Sequence, residues 1–223
     1  MKALRIGTVV GVLLFASSAG AWAARYDYRD YETPANVTQK HYSMSAGMCG
    51  DAEIVEFSRQ PVGTDTLLTK TRIRTNAGVN CQYDKLHFQE SAYAVSWRRT
   101  DKYDPSGAVL LSSNRLTKPI ARATAFMEVG ATWGSATEVD DGVNPNNIVD
   151  HVVETNILLG LENVTVPYGA YTGCLKIHTS RMSRTLGNFV MVSWRCAGIG
   201  EVKRIQGFGG TMVRWELLGV TAP

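Results

Sequence analysis

Residues 164–177 read VTVPYGAYTGCLKI. A β-branched run, a Pro-Tyr-Gly corner and a second apolar run make the pattern of two strands joined by a tight turn. Proline and glycine supply the backbone angles of a reversal, and Val, Thr and Ile fit a pleated surface. The flanking sequence repeats the pattern. AEIVEF (52–57), TLLTKTRIRT (66–75), KLHFQES (85–91) and AYAVSWRRT (92–100) are rich in β-branched and aromatic residues. In TLLTKTRIRT, Leu67, Thr69, Thr71, Ile73 and Thr75 alternate with Leu68, Lys70, Arg72 and Arg74, which predicts a half-buried antiparallel strand with one moderately apolar face and one basic face. DPSG (104–107) is a turn, and DDGVNPNNIVD (140–150) carries the longest loop signal. HVVETNILLGLENVTV (151–166) fits a strand or a short helix, with strand favoured. YTGCLKIHTS, FVMVSWRC, GEVKRIQ and TMVRWELLGV follow as four more, the last two joined at Gly209-Gly210. No long segment has a 3.6-residue period, so the predicted class is all-β.

The first 23 residues, MKALRIGTVVGVLLFASSAGAWA, have the basic, apolar, small-residue order of a secretory signal, with cleavage expected after Ala23. Its apolar core of about ten residues is roughly half of what a membrane-spanning helix needs, and no later stretch approaches that length. Residues 24–50 alternate Tyr26 and Tyr28 with charges, which allows a short edge strand, but Pro34 and Asn36 break the pattern and favour a loosely held amino-terminal arm. Residues 51–223 read as a single β domain. Of 23 basic residues the leader removes Lys2 and Arg5, so the mature chain is nearly balanced against 20 acidic ones. The basic pairs Arg98-Arg99 and Lys203-Arg204 are isolated, which argues against a nucleic-acid partner.

Cys49, Cys81, Cys174 and Cys196 are an even set in a chain bound for an oxidising compartment, so two disulfides are expected. Sequence leaves three pairings open. The sequential one, Cys49–Cys81 with Cys174–Cys196, is favoured because each bond closes a moderate loop within one supersecondary unit, a stabilisation of about 3–4 kcal/mol apiece. By alternation Cys174 falls with Lys176 and His178, and Cys196 with Val190, Val192 and Trp194. Bonded cysteines on adjacent strands share a face, so a bulge or strand end is predicted near residues 195–197.

Chemistry-bearing patterns are sparse. Ser193 lacks the glycine elbow of a hydrolase nucleophile. His41, His87, His151 and His178 are scattered, and the glycines after Ala197 do not form a phosphate-cradling fingerprint. The nearest cysteines are 22 positions apart, too far for a zinc knuckle. The oxygen-rich loop 140–150 fails calcium-loop spacing and reads as a plain loop. Glu53 and Glu56, Asp140 and Asp141, or Glu154 and Glu162 give no acid–base pair that sequence can assign. No catalytic residue, metal or cofactor is therefore expected. Trp97, Trp133, Trp194 and Trp215 fall in four separate strands. They read as core, or as the lining of a concave ligand face.

MEVGATW (127–133), LENVTVPYGAYTGCLKI (161–177), SWRCAGIGEVKR (193–204) and WELL (215–218), with YDPSG (103–107) ahead of them, resemble a group of exported bacterial proteins of unknown function. Their shared pattern is VTVPxGxxxxCLKI followed by GxGxVK. Tyr168, Tyr171, Cys196-Ala197 and Glu201 depart from it. The resemblance implies a strongly curved antiparallel sheet, a half-barrel or open barrel similar to those of envelope lipoprotein carriers, here stapled by two disulfides. It carries no catalytic residues across. The functional expectation is a non-catalytic periplasmic or secreted β domain that binds an apolar or lipid-like ligand or a protein partner of the cell envelope. Alternatives are an exported hydrolase-like enzyme whose site assembles only in three dimensions, and a structural subunit of a surface assembly docking by its tyrosine-rich arm.

Overall fold

The computed structural model describes residues 24–45, 49–208 and 210–222. The leader-like residues 1–23 and Gly209 of the expected hairpin turn lie outside them. The strands in chain order are β1 (Arg25–Tyr26), β2 (Gln39–Met44), β3 (Ala52–Val62), β4 (Asp65–Asn76), β5 (Val79–Glu90), β6 (Ala94–Tyr103) and β7 (Leu110–Thr124). They continue with β8 (Met127–Glu128), β9 (Thr132–Asp140), β10 (Ile148–Val166), β11 (Gly169–Met182), β12 (Phe189–Cys196), β13 (Gly200–Phe208) and β14 (Thr211–Thr221). β1 pairs with β8 in a separate two-stranded sheet. The other twelve form a closed antiparallel barrel in the ring order β10-β11-β12-β13-β14-β2-β3-β4-β5-β6-β7-β9.

Closure is the main departure from the half-barrel or open barrel that the resemblance implied. β9 completes the ring, pairing with β7 at Arg115 and Leu116 and with β10 along its whole length. A closed ring leaves no strand edge with unpaired backbone groups. The join depends on Gly134 (φ +148°), where a Cβ would stand 2.0 Å from the Glu154 carbonyl oxygen. Gly134→Ala is expected to cost about 2 kcal/mol or more, read as a lower urea midpoint. Gly219→Ala, where a Cβ meets open space, is expected to leave the midpoint unchanged.

The opening hairpin is built by β10 and β11, with Val166 opposite Gly169 across the Pro167-Tyr168 turn. Its register slips between Glu162 and Val164, where Gly173 adopts φ +64° and donates its N–H to Asn163 Oδ1 at 3.1 Å. This kink brings the tip onto β14. The Tyr168 N–H donates to the Leu217 carbonyl at 3.0 Å, beside a register slip that interrupts β14–β2 pairing, and Val164 and Val166 pack with Val213 and Leu217.

Cys49 is bonded to Cys81 and Cys174 to Cys196. No bulge between β11 and β12 is needed for the second bond. The register sets Lys176 opposite Trp194 and His178 opposite Val192, so the two alternating sets already share a face. β12 does end at Cys196, within the stretch where a bulge or strand end was expected, and a register slip lies beside it between β12 and β13, at Trp194/Arg195.

The segment expected as a loose arm is built into the fold. Gln39–Met44 is a barrel strand between β14 and β3 whose alternation buries Lys40, Tyr42 and Met44. Ahead of it a 3-10 turn, Tyr28–Tyr31, lies across one end of the barrel. Tyr28 donates its hydroxyl to Ser91 O at 2.7 Å in the β5–β6 turn, and the Gly198 N–H in the β12–β13 turn donates to Asp30 O at 2.8 Å. Arg59 Nη2 donates to Thr33 O at 2.7 Å from β3. These anchors lie on separated parts of the ring, so the segment closes that mouth. Two apolar clusters hold the wall together, one around Trp97, Ile120 and Leu158, the other around Trp215, Leu217 and the Cys174–Cys196 bond.

Candidate functional site

The interior of the barrel is charged. On β4 the side chains directed inward are Leu68, Lys70, Arg72 and Arg74, the reverse of what an apolar-inside strand would give. The basic face turns inward because acidic partners wait there. Glu53 on β3 lies between Arg74 Nε at 2.9 Å and Arg204 Nη2 at 2.7 Å. Arg72 Nη2 donates to Asp84 Oδ2 on β5 at 2.9 Å, and Glu32 on the closing segment pairs with Lys70 and Arg195.

A second glutamate repeats the arrangement. Glu154 on β10 is fully buried between Arg122 Nε at 3.1 Å and Arg181 Nη2 at 3.0 Å. Each group carries a tryptophan. Arg181 and Arg122 lie over the Trp97 ring at 4.3 and 4.9 Å, whereas Arg204 and Arg74 lie over Trp215 at 4.2 and 5.6 Å. In ring order the Glu154 group occupies β6 to β11 and the Glu53 group β13 to β4. Only β12 and β5 stand between them. Two Trp–Arg–Glu–Arg walls thus face one another across the lumen. Cation–π stacking on the two rings and the planar guanidinium fork suit arginine, rather than lysine, to these positions and partly offset the cost of burying the charge.

Between the walls is a cavity of about 320 Å³. Among the described residues, nine lysine and arginine side chains line it against three carboxylates, those of Glu32, Asp84 and Glu201. Glu53 and Glu154 lie behind the lining and still leave the cations in excess. Burial pushes the Glu53 carboxyl up, and Arg204 and Arg74 more than offset this, holding it down at about 2. Glu32 is likewise at about 2, because Arg195 and Lys70 overcome its burial. Lys40 is held by a backbone carbonyl instead of a carboxylate. Its Nζ donates to the Glu201 carbonyl at 3.1 Å, an acceptor shared with the Tyr42 hydroxyl at 2.9 Å.

Burial pushes Lys40 down to about 7 from 10.5. Between those values the unfolded chain binds the proton and the folded chain does not, so stability rises with pH from about 7 to about 10.5. Lys40→Met is expected to raise the denaturation midpoint at pH 6 and to flatten that rise. Thermal melts of both proteins from pH 6 to pH 10 check it.

The four tryptophans expected as core or as one ligand face are divided. Trp97 lines the cavity and Trp215 is buried behind Arg204 and Arg74. Trp133 is partly buried against the first apolar cluster. Trp194 does not line the cavity and is buried in the second apolar cluster. Its Nε1 donates to Glu162 at 2.6 Å, and Lys176 and Lys203 flank its ring at 5.4 and 5.5 Å. The four disulfide cysteines take no part in the cavity. Of the carboxylate pairs that sequence could not assign, Glu53 and Glu154 are each enclosed by arginines, whereas Glu56 accepts from Gln39 and Glu162 from Trp194. In the 140–150 loop, Asp140 accepts from Arg115 and Asp141 from backbone amides and Asn147. The cavity's arginines had no sequence motif. The signal available was phase, since Glu154 and Asn156 alternate in step with buried Val152 and Leu158.

Two solved structures share this barrel. One, from Bacteroides fragilis NCTC 9343, is described as an exported protein with a YmcC-like fold; it superposes with a TM-score of 0.53 at 13% identity, over 86% of this chain and 98% of that one. The other, from Parabacteroides distasonis ATCC 8503, is described as a lipoprotein and gives 0.53 at 12% identity over the same shares. At such identity the likeness concerns the fold alone. No family model matches the chain, and no curated protein sequence does.

Proposed function

We propose that this protein is an exported, non-catalytic binding protein whose closed barrel holds an anionic ligand. The observation that carries the reading is the cation excess lining the cavity, where charges removed from water need a counter-charge. Lining residues such as Leu86, Phe88 and Phe189 give the uncharged part of such a ligand an apolar seat, so the lipid-like ligand expected from the sequence is recast as one with an anionic end. Export is supported by the leader-like residues 1–23 and by two disulfides, which persist in oxidising compartments. The two structural neighbours are themselves described as exported and as a lipoprotein.

Native mass spectrometry of the protein released from its own compartment tests this. A co-purifying anion that is lost in high salt is the expected result. An apo protein that also fails to retain any anion offered in solution would overturn it.

A further inference from the structure

The next step rests on that reading and assigns the anionic group. Arg72 projects from β4, Arg122 from β7 and Arg195 from β12, three separated positions in the ring, and all three line the cavity. Each uses only part of its guanidinium on protein. Arg72 Nη2 reaches Asp84 at 2.9 Å, Arg195 Nη1 reaches Glu32, and Arg122 Nε lies 3.1 Å from Glu154 Oε1. The Nε groups of Arg72 and Arg195 are buried with no hydrogen-bond acceptor among the described residues, and Arg122 Nε makes its ion contact without an aligned hydrogen bond. Arg204, only 9% exposed, adds a fourth such Nε.

These cations feel one another. Burial pushes Arg122 down and Glu154 raises it, while Arg195 and Arg72 across the cavity push it down again. Three guanidinium groups that line one cavity from separated walls with like charge, each only partly used on protein, are complemented best by several oxygens on one centre carrying more than one negative charge. A carboxylate offers two oxygens in a plane and a single charge. A phosphoryl group offers three at tetrahedral angles and a charge approaching two, and the guanidinium fork matches it.

We propose that Arg72, Arg122 and Arg195 form a phosphoryl-binding subsite inside the barrel, with the remainder of the ligand seated against Phe88, Leu186 and Phe189. Two sources present this chemistry, a soluble phosphate ester and the headgroup of a phosphorylated amphiphile.

Isothermal titration of the mature protein with inorganic phosphate, acetate and dihexanoyl phosphatidic acid below its micellar concentration separates the cases. Phosphate is expected to bind one per chain and at least tenfold more tightly than acetate. Arg72→Gln and Arg195→Gln are each expected to weaken phosphate about tenfold or more, while Arg98→Gln, on the exposed outer surface, leaves it unchanged. Tighter binding of the phosphatidic acid than of phosphate identifies the amphiphile as the source; equal binding identifies the soluble ester. If a glutamine variant fails to fold by circular dichroism, Arg72→Lys and Arg195→Lys keep the charge, lose the fork, and are expected to weaken phosphate several-fold. Equal affinity for acetate and phosphate, or phosphate binding indifferent to both arginines, overturns the phosphoryl assignment and leaves the anion-binding reading standing. Binding of none of the three probes overturns both.

Discussion

Glu53→Gln is expected to destabilise the barrel by about 3–5 kcal/mol, because it removes the buried carboxylate that Arg74 and Arg204 share and leaves Glu201 as the carboxylate paired with Arg204. The side chain is 0% exposed, so water cannot take the carboxylate's place without opening the wall. The same pairing fixes the acid response. With its folded value held at about 2 against 4.5 for a free glutamate, Glu53 contributes stability that is complete above about pH 4.5 and is lost as the pH falls toward 2. Glu32 adds to the same window. Urea denaturation at pH 7 measures the first effect. Repeating it down to pH 3 measures the second, where the Glu53→Gln variant is expected to show a shallower loss than the wild type. Equal slopes would mean that the arginine pairing does not carry the acid sensitivity.

Removing the Cys174–Cys196 bond by a double change to alanine is expected to cost about 2–5 kcal/mol. Both cysteines are essentially unexposed and pack with Val164, Trp194 and Trp215 in the second apolar cluster, so the change also leaves unfilled space. The bond pins the kinked β10–β11 hairpin to β12 at the point where the β12–β13 register slips. Cys49 and Cys81 are partly exposed and join the β2–β3 connection to β5, so their removal is expected to cost less. Guanidinium titrations of the two double variants, with and without reductant, compare them. A larger loss at Cys49–Cys81 would show that the hairpin anchor is not where the barrel is stapled.

The strands were legible because their causes are local. VTVPYGAYTGCLKI gives a turn and two β-branched runs with no help from the rest of the chain, and the same holds for TLLTKTRIRT. Which face of a strand turns inward is not local. The alternation of Leu68, Lys70, Arg72 and Arg74 was visible, but its direction depends on Glu53, Asp84 and Glu32, which come from other strands and from the closing segment. Closure escaped for a similar reason. It rests on β9 meeting β7 through two residue pairs, Arg115 with Asp140 and Leu116 with Val139, separated by more than 20 positions that no pattern links. The amino-terminal segment looked polar and broken, yet Tyr28 and Glu32 are buried because the barrel end supplies acceptors and cations for them. Glu201, a departure from the resembling group's apolar position, lines the cavity and pairs with Arg204 at 3.2 Å.

The claim that the barrel interior is an anion site is tested most directly by nitrogen-15 spectra of the arginine Nε–H groups during titration with inorganic phosphate. The Nε resonances of Arg72, Arg195 and Arg204 are predicted to shift together and saturate at one equivalent, while that of Arg98 on the outer surface stays in place. Interior resonances that do not move, or that drift with ionic strength in step with Arg98, would contradict it.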